Sequence, residues 1–425
     1  MQKISEKNVA SLWVSGSLTR FTDDMGNDVE VICVGRKSTR PGCDFQDVVL
    51  SVNREKLVGD VELHLSSDLW RKHGHHADPA YNGIILHVAM WQKGSLPVKL
   101  EKGAAVPTVI LSGYITQRSL LGRRPGSQVR RSCPVTPGKS SAVIKGVLMQ
   151  AGMRRFSVKS AKYAAALQDE GAEQSLYKGI CRALGYSRNT APFEALADRL
   201  PYDLIMREAA GSLVKKQAIL LGTAGLLASQ CGSICTSLSP EVLQNMRTEW
   251  DIFGDKPLPL PGGSWSFSFL RPCNHPIKRL VYLGHLLQKY EGEGLVGGFT
   301  GIFEAAPPGD EADCLERGLL VNDDVRLPGT GRAREMALNQ LLPFLTACAV
   351  RDGNVNLATR AINTYLNYRP LPSNELLRYM QGQIGLARGI NACLQQGMLH
   401  IYHSYCRVKD CSGCPVFTCR RPGRV

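Results

Sequence analysis

The stretch GDVELHLSSDLWRKHGHHADPAYNGIILHV runs from Gly59 to Val88. It holds five of the nine histidines of the 425-residue chain: His64, His73, His75, His76 and His87. It opens and closes in runs with strand character, GDVELHL at 59–65 and GIILHVAMW at 83–91, both rich in β-branched residues. Between them, SSDLWRKHGHHADPAY has room for a helix over 67–78 that Ser67 can cap and Pro79 should end.

Working outward, VEVICVG at 29–35 and QDVVLSV at 46–52 read as two earlier strands, and PTVILSGYI at 107–115 as a candidate fifth. SEKNVASLWVSG predicts an opening helix over 5–16 with Ser5 as its N-cap. Residues 1–116 are therefore expected to form an α/β domain in the order helix, three strands, helix, strand. Residues 117–142 follow as a basic linker or loop, with Arg118, Arg123, Arg124, Arg130 and Arg131 set among Gly, Pro and Ser. From 143 to 403 apolar residues recur at spacings of three and four, which predicts a helical domain. Residues 404–425 form a cysteine cluster and basic tail. No fixed-period repeat is visible, which argues against a solenoid.

Composition narrows the function classes. An apolar fraction of 44% excludes wholesale disorder. A net charge of +14 and a pI near 9.2 favour a polyanionic partner, nucleic acid first and DNA before RNA, over a merely basic soluble protein. MQKISEKNVASLWVSG is too polar for a secretory leader. The apolar run AILLGTAGLLAS from Ala218 falls short of the roughly 20 residues that a membrane span needs. A cytoplasmic location without membrane contact is expected, and there the 14 cysteines should be thiols or metal ligands.

Four of those cysteines, Cys406, Cys411, Cys414 and Cys419, give C-x4-C-x2-C-x4-C. Four thiolates this close can bind one [4Fe–4S] cluster or one zinc ion. The C-x2-C pair followed by proline and the unequal spacing favour the cluster, in a structural role. Arg420, Arg421 and Arg424 follow and offer cations to nucleic acid.

The carboxylates carry the sharper chemistry. Glu62 and His64 are two apart on a strand and so share a face. Asp44, in PGCDF, precedes the neighbouring strand, and a hairpin between the two strands would bring Asp44 to Glu62. Two carboxylates at one strand end suit Mg²⁺ or Mn²⁺, which can activate water at a phosphorus centre. The alternative is an ordinary exposed strand face. His87 is either a buried, hydrogen-bonded histidine or a ligand. HGHH is either a solvated helix end or a source of zinc ligands with Asp78. The spacing of His73, His75 and His76 lets at most two join one site unless the helix breaks at Gly74. Charged histidines at a helix C-terminus would also suit a phosphate.

This pattern resembles the PD-(D/E)XK nuclease superfamily, whose core runs helix, three strands, helix, strand. Asp44 falls on the motif aspartate and Glu62 on the motif acid. The resemblance implies a restriction-endonuclease-like mixed sheet with a catalytic ion on Asp44 and Glu62. Cys43 stands where that pattern has proline and His64 where it has lysine, so His64 would have to replace a cation or act as a base. Most of the chain also resembles an uncharacterised bacterial family of unknown function. The resemblance rests on GDVELH, SDLW, HGHH and ILHV, then LGYSRNTAPF (184–193), LLGTAGLL (220–227), RPCNHPIKRL (271–280) and the closing cysteines. In RPCNHP, Arg271 and Asn274 are placed to meet a phosphate at a helix N-terminus, or simply to cap the turn.

Three functions follow as expectations. The first is a metal-dependent nuclease with Asp44, Glu62 and His64 as catalytic residues and His73, His75, His76, Asp78 and His87 around them. The second is an inactive nucleic-acid-binding or repair accessory protein. The third is a small-molecule metal hydrolase built on the histidines. Basic stretches at 118–131, 154–162 (Arg154, Arg155, Lys159, Lys162) and 420–424 would neutralise phosphates in the first two.

Overall fold

A computed structural model describes residues 5–15, 19–38, 42–114, 140–186, 188–227, 239–254, 256–267, 274–321, 328–386, 388–408 and 410–418. An N-terminal mixed sheet is followed by a mostly helical region. The chain divides into two compact units, residues 1–147 with 374–388 and 398–425, and residues 148–373 with 389–397.

The first unit opens with helix α1 (Glu6–Ser15), which buries Val9 and Trp13 one turn apart on a single face. The strands are β1 (Arg20–Thr22), β2 (Asp28–Cys33), β3 (Arg36–Lys37), β4 (Phe45–Val52) and β5 (Glu55–Ser66), then β6 (Ile84–Trp91), β7 (Val98–Lys99), β8 (Ala105–Val106) and β9 (Thr108–Ile110). The main sheet runs β1-β2-β4-β5-β6-β9, with β3 paired to β4, while β7 and β8 form a separate ribbon. Pairing is antiparallel from β1 to β5 and parallel from β5 through β6 to β9. The β4–β5 hairpin turns on Asn53 and Arg54, both with positive φ, the geometry that matches the twist of a two-residue hairpin. At Gly59, an added Cβ would stand 2.3 Å from the Ile85 side chain, so glycine lets β5 and β6 approach there.

Alternation along β5 and β6 separates two layers. Val61, Leu63, Leu86, Val88 and Met90 face α1 and join Phe45, Val48, Leu50 and Val109 in one core. The opposite face carries Glu62, His64 and His87 and lies over a smaller core of Cys43, Trp70, Tyr81, Ile84, Val98, Leu100 and Val106. Polar residues on this face are buried because the segment between β5 and β6 folds over them.

That segment is shorter in helix than the sequence predicts. Helix α2 covers only Leu69–Lys72, and 3₁₀ turns at His75–Ala77 and Pro79–Tyr81 replace the rest. Gly74 adopts φ 78° and breaks the helix. Ser67 does not cap α2; its hydroxyl donates to Lys93 O (2.7 Å) and accepts from Lys93 N (2.8 Å).

Near the far end of β3–β4, Asp47 sits in a bulge of β4 with φ 55°. Its carboxylate accepts from Arg36 Nε (3.0 Å) and from the Tyr402 hydroxyl, and it forms an ion pair with Arg407 (3.0 Å). Tyr402–Cys406 is a π-helical turn, so Asp47 ties the C-terminal segment to the strand that follows Asp44.

The second unit is built on apolar helix faces. In helix α4 (Ala172–Leu184), Leu176, Tyr177, Ile180, Cys181 and Leu184 recur at helical spacing and are fully or almost fully buried. Helix α3 (Ser141–Asp169) precedes it. No helix among the described residues is long and apolar enough to cross a membrane.

Candidate functional site

The hairpin brings the two carboxylates together. Asp44 N–H donates to Glu62 Oε2 (3.0 Å), and Leu63 N–H donates to Asp44 Oδ2 (3.0 Å). Glu62 is buried and Asp44 half-buried. Burial, then the neighbouring charge of Asp44, pushes the Glu62 carboxyl up to about 9. Burial also raises Asp44, opposed by the Leu63 N–H and by the charge of Lys37 on β3. Without a cation beside it, Glu62 holds a proton at neutral pH.

Three imidazoles converge here, His64 from β5, His73 from the end of α2 and His75 from the turn after Gly74, and two of them, His64 and His75, meet the Glu62 carboxylate. The ligand atoms of His64, His73 and His75 lie within 4.8 Å of one another. His64 Nε2 is 3.2 Å from His73 Nδ1. Glu62 Oε1 lies 3.7 Å from His64 Nε2 and 3.5 Å from His75 Nε2. Ligands about 2.0–2.1 Å from a tetrahedral ion are separated by about 3.3 Å. The three histidines therefore fit a single metal ion after a contraction, with Glu62 adjoining two of them. His75 Nε2 supports the fit, because it is buried without a hydrogen-bond partner. Among the described residues, His64, His73 and His75 are the one group of three or more His, Cys, Asp and Glu side chains close enough to share an ion.

The second layer sets the histidine tautomers. His64 Nδ1 is 3.0 Å from His87 Nε2, and His87 Nδ1 is 3.3 Å from Thr108 Oγ1. A lone pair at His64 Nε2 requires the proton on Nδ1, which His87 Nε2 accepts; His87 then donates from Nδ1 to the hydroxyl. This orienting chain is what metal-ligating histidines generally carry. His75 stacks on Tyr81 with ring centroids 3.9 Å apart. Trp70 packs edge-on against His75 and donates its indole N–H to Lys99 O (2.9 Å). Burial, reinforced by neighbouring imidazoles, lowers His64 to about 2, His87 to about 3 and His75 to about 4. All three are neutral at physiological pH, so His64 is no cationic replacement for lysine.

The expected site residues divide accordingly. Asp44, Glu62, His64, His73, His75 and His87 are together. His76 is exposed, and Asp78 is exposed with its side chain capping the turn through Ala80 N–H (2.9 Å). Gly74 is why His73 and His75, rather than a helical pair, share the site. Sequence reasoning missed Thr108, Trp70, Tyr81 and Lys37. The Thr108 contact arises from the parallel register of His87 with Thr108, which no local pattern announces. Cys406 and Cys411 are half-buried and Cys414 buried; Cys419 lies outside the described residues, as do Arg118, Arg123, Arg124, Arg130, Arg131, Arg271, Arg420, Arg421 and Arg424. Asn274 is half-buried ahead of the helix Pro276–Lys289, whose N-cap is His275, through Nδ1 to Ile277 N–H (3.3 Å).

A family described as a protein of unknown function, DUF2851, matches residues 6–301. The chain belongs to the DUF2851 family. The match spans the candidate site, from Asp44 to Thr108, and its description assigns no activity. Neither the curated proteins nor the solved structures gave a match.

Proposed function

We propose that the first unit is a metal-dependent hydrolase of phosphodiester bonds in nucleic acid, with the ion on Glu62, His64, His73 and His75 and with Asp44 beside it. The observation that carries this reading is a buried carboxylate that meets His64 and His75 within a cluster of three imidazoles, one of them, His75, with a buried nitrogen that has no hydrogen-bond partner. A helix, then antiparallel strands, a short helix and a parallel strand, with Asp44 just before β4 and Glu62 on the neighbouring β5, supports the PD-(D/E)XK resemblance, although five strands rather than three precede the short helix. Nitrogen donors shift the choice of ion from Mg²⁺ towards Mn²⁺, Fe²⁺ or Zn²⁺.

Such an ion, when bound, supplies an acidified water and neutralises charge developing at phosphorus. Asp44 uses Oδ2 for Leu63 N–H and keeps Oδ1 to accept a proton from the attacking water. Thr108 and His87 fix the ring of His64. Trp70 and Tyr81 exclude water from one side of the site, which strengthens every charge interaction there. A net charge of +14 suits a polyanionic substrate.

A second reading keeps the fold and loses the chemistry, leaving a nucleic-acid-binding protein. It is favoured by a neutral His64 where the superfamily pattern has lysine. The test incubates purified full-length protein with Mn²⁺, Fe²⁺ or Zn²⁺, labelled DNA and RNA, and bis(4-nitrophenyl) phosphate. Ion-stimulated nucleic-acid cleavage that Glu62→Gln and Asp44→Asn abolish is the expected result. Salt-dependent binding with no cleavage of any diester selects the second reading. Cleavage of the small diester alone moves the substrate to a small molecule.

A further inference from the structure

One face of helix α3 carries Arg155, Lys159 and Tyr163 at successive turns, and all three meet neutral side-chain amides. Arg155 Nε donates to Gln396 Oε1 (2.8 Å), the Lys159 ammonium to Asn339 Oδ1, and the Tyr163 hydroxyl to Gln340 Oε1 (2.7 Å). Asn339 and Gln340 lie on a π-helical turn, Ala337–Leu341, a feature that often marks functional positions. Ordinary packing does not require cations to be paired with amides. Lys216 in the same unit shows the usual arrangement: its buried ammonium has three acceptors, Ala209 O, Gln288 Oε1 and the carboxylate of Glu291.

Lys159 has one hydrogen-bond acceptor for three donors among the described residues. Its neighbours add to the charge. Burial, then Arg155, Arg182 and Lys162, push its pKa well down, and the one carboxylate acting against this is Glu335. Glu335 is already paired with Arg332, whose Nε is itself buried without a partner. Lys162 and Arg182 are exposed, and Arg182 is paired with Glu194 (3.3 Å).

We propose that Arg155, Lys159, Lys162 and Arg182 form a binding site for a phosphate group. A dianion would compensate the excess positive charge and accept the ammonium protons that Asn339 leaves over. The inference uses the second unit alone and does not depend on the hydrolase reading. Its ligand is either free phosphate or a nucleic-acid backbone phosphate.

The test is thermal unfolding of the full-length protein in inorganic phosphate, in chloride at equal ionic strength, and with a short single-stranded oligonucleotide. Phosphate should raise the melting temperature of wild type by about 2–4 °C over chloride. Lys159→Met should remove that response, and the exposed pair Lys162→Gln/Arg182→Gln should weaken it without touching a core. An oligonucleotide that substitutes for phosphate identifies the backbone as the source, and one that does not identifies free phosphate; both support the site. Wild-type indifference to both ligands, or an undiminished response in both variants, overturns it.

Discussion

His64 Nδ1 and His87 Nε2 are 3.0 Å apart, and this pairing decides which nitrogen of His64 faces Glu62. Removing the acceptor frees the ring of His64 to rotate or change tautomer. His87→Ala should therefore weaken metal binding about 10–100-fold while leaving every proposed ligand in place. Thr108→Val should act in the same direction and less strongly. Competition titration with a chromophoric chelator measures both; unchanged affinity in His87→Ala would show that the pair is only packing.

Trp70 is fully buried between the site and the small core beneath it. Trp70→Ala should cost about 3–5 kcal/mol. Denaturant unfolding should show a lower midpoint, and the metal affinity should fall with it, because Trp70 packs against both His75 and His87. A stable variant with intact affinity would show that the wall of the site does not need the indole.

Much of this arrangement can be read from the sequence. Alternation in GDVELHL places Glu62 and His64 on one face, and the hairpin brings Asp44 to Glu62, because both depend on local periodicity and short connections. The segment between β5 and β6 is harder. Its residues read as one helix, yet Gly74 breaks it, and the break turns HGHH from a helix end into two converging imidazoles and one exposed ring. Thr108 and the Asp47–Tyr402 contact are not legible at all, since register across parallel strands and contacts between residues far apart in sequence leave no local trace.

Asp47 tests the tie between β4 and the C-terminal segment. Asparagine tolerates positive φ, so Asp47→Asn keeps the backbone and removes only the charge facing Arg36 and Arg407. The expected loss is about 1.5–3 kcal/mol, with a greater loss in Asp47→Ala. Equal stability of Asp47→Asn and wild type in urea would show that the cluster contributes nothing.

Lys159 gives a pH dependence of definite sign. Its folded pKa lies below the ordinary 10.5, so between the two values the unfolded chain binds more protons. Its contribution to stability is fully present above 10.5 and is lost as pH falls through the lowered folded value. Arg155, Lys162 and Arg182 face it with the same sign and Glu335 with the opposite one. In phosphate-free buffer, the stability of wild type relative to Lys159→Met should rise with pH across the alkaline range. A flat difference between the two proteins would place Lys159 in an ordinary, compensated environment.

The central claim is that Glu62 and three histidines share one ion. Anomalous diffraction at the absorption edge of Mn²⁺ or Zn²⁺, from crystals of the full-length protein grown with that ion, locates it directly. The account predicts a peak about 2.0–2.2 Å from His64 Nε2, His73 Nδ1, His75 Nε2 and a Glu62 oxygen. A protein with ordered imidazoles and no peak among them, or with metal only at the C-terminal cysteines, would contradict it.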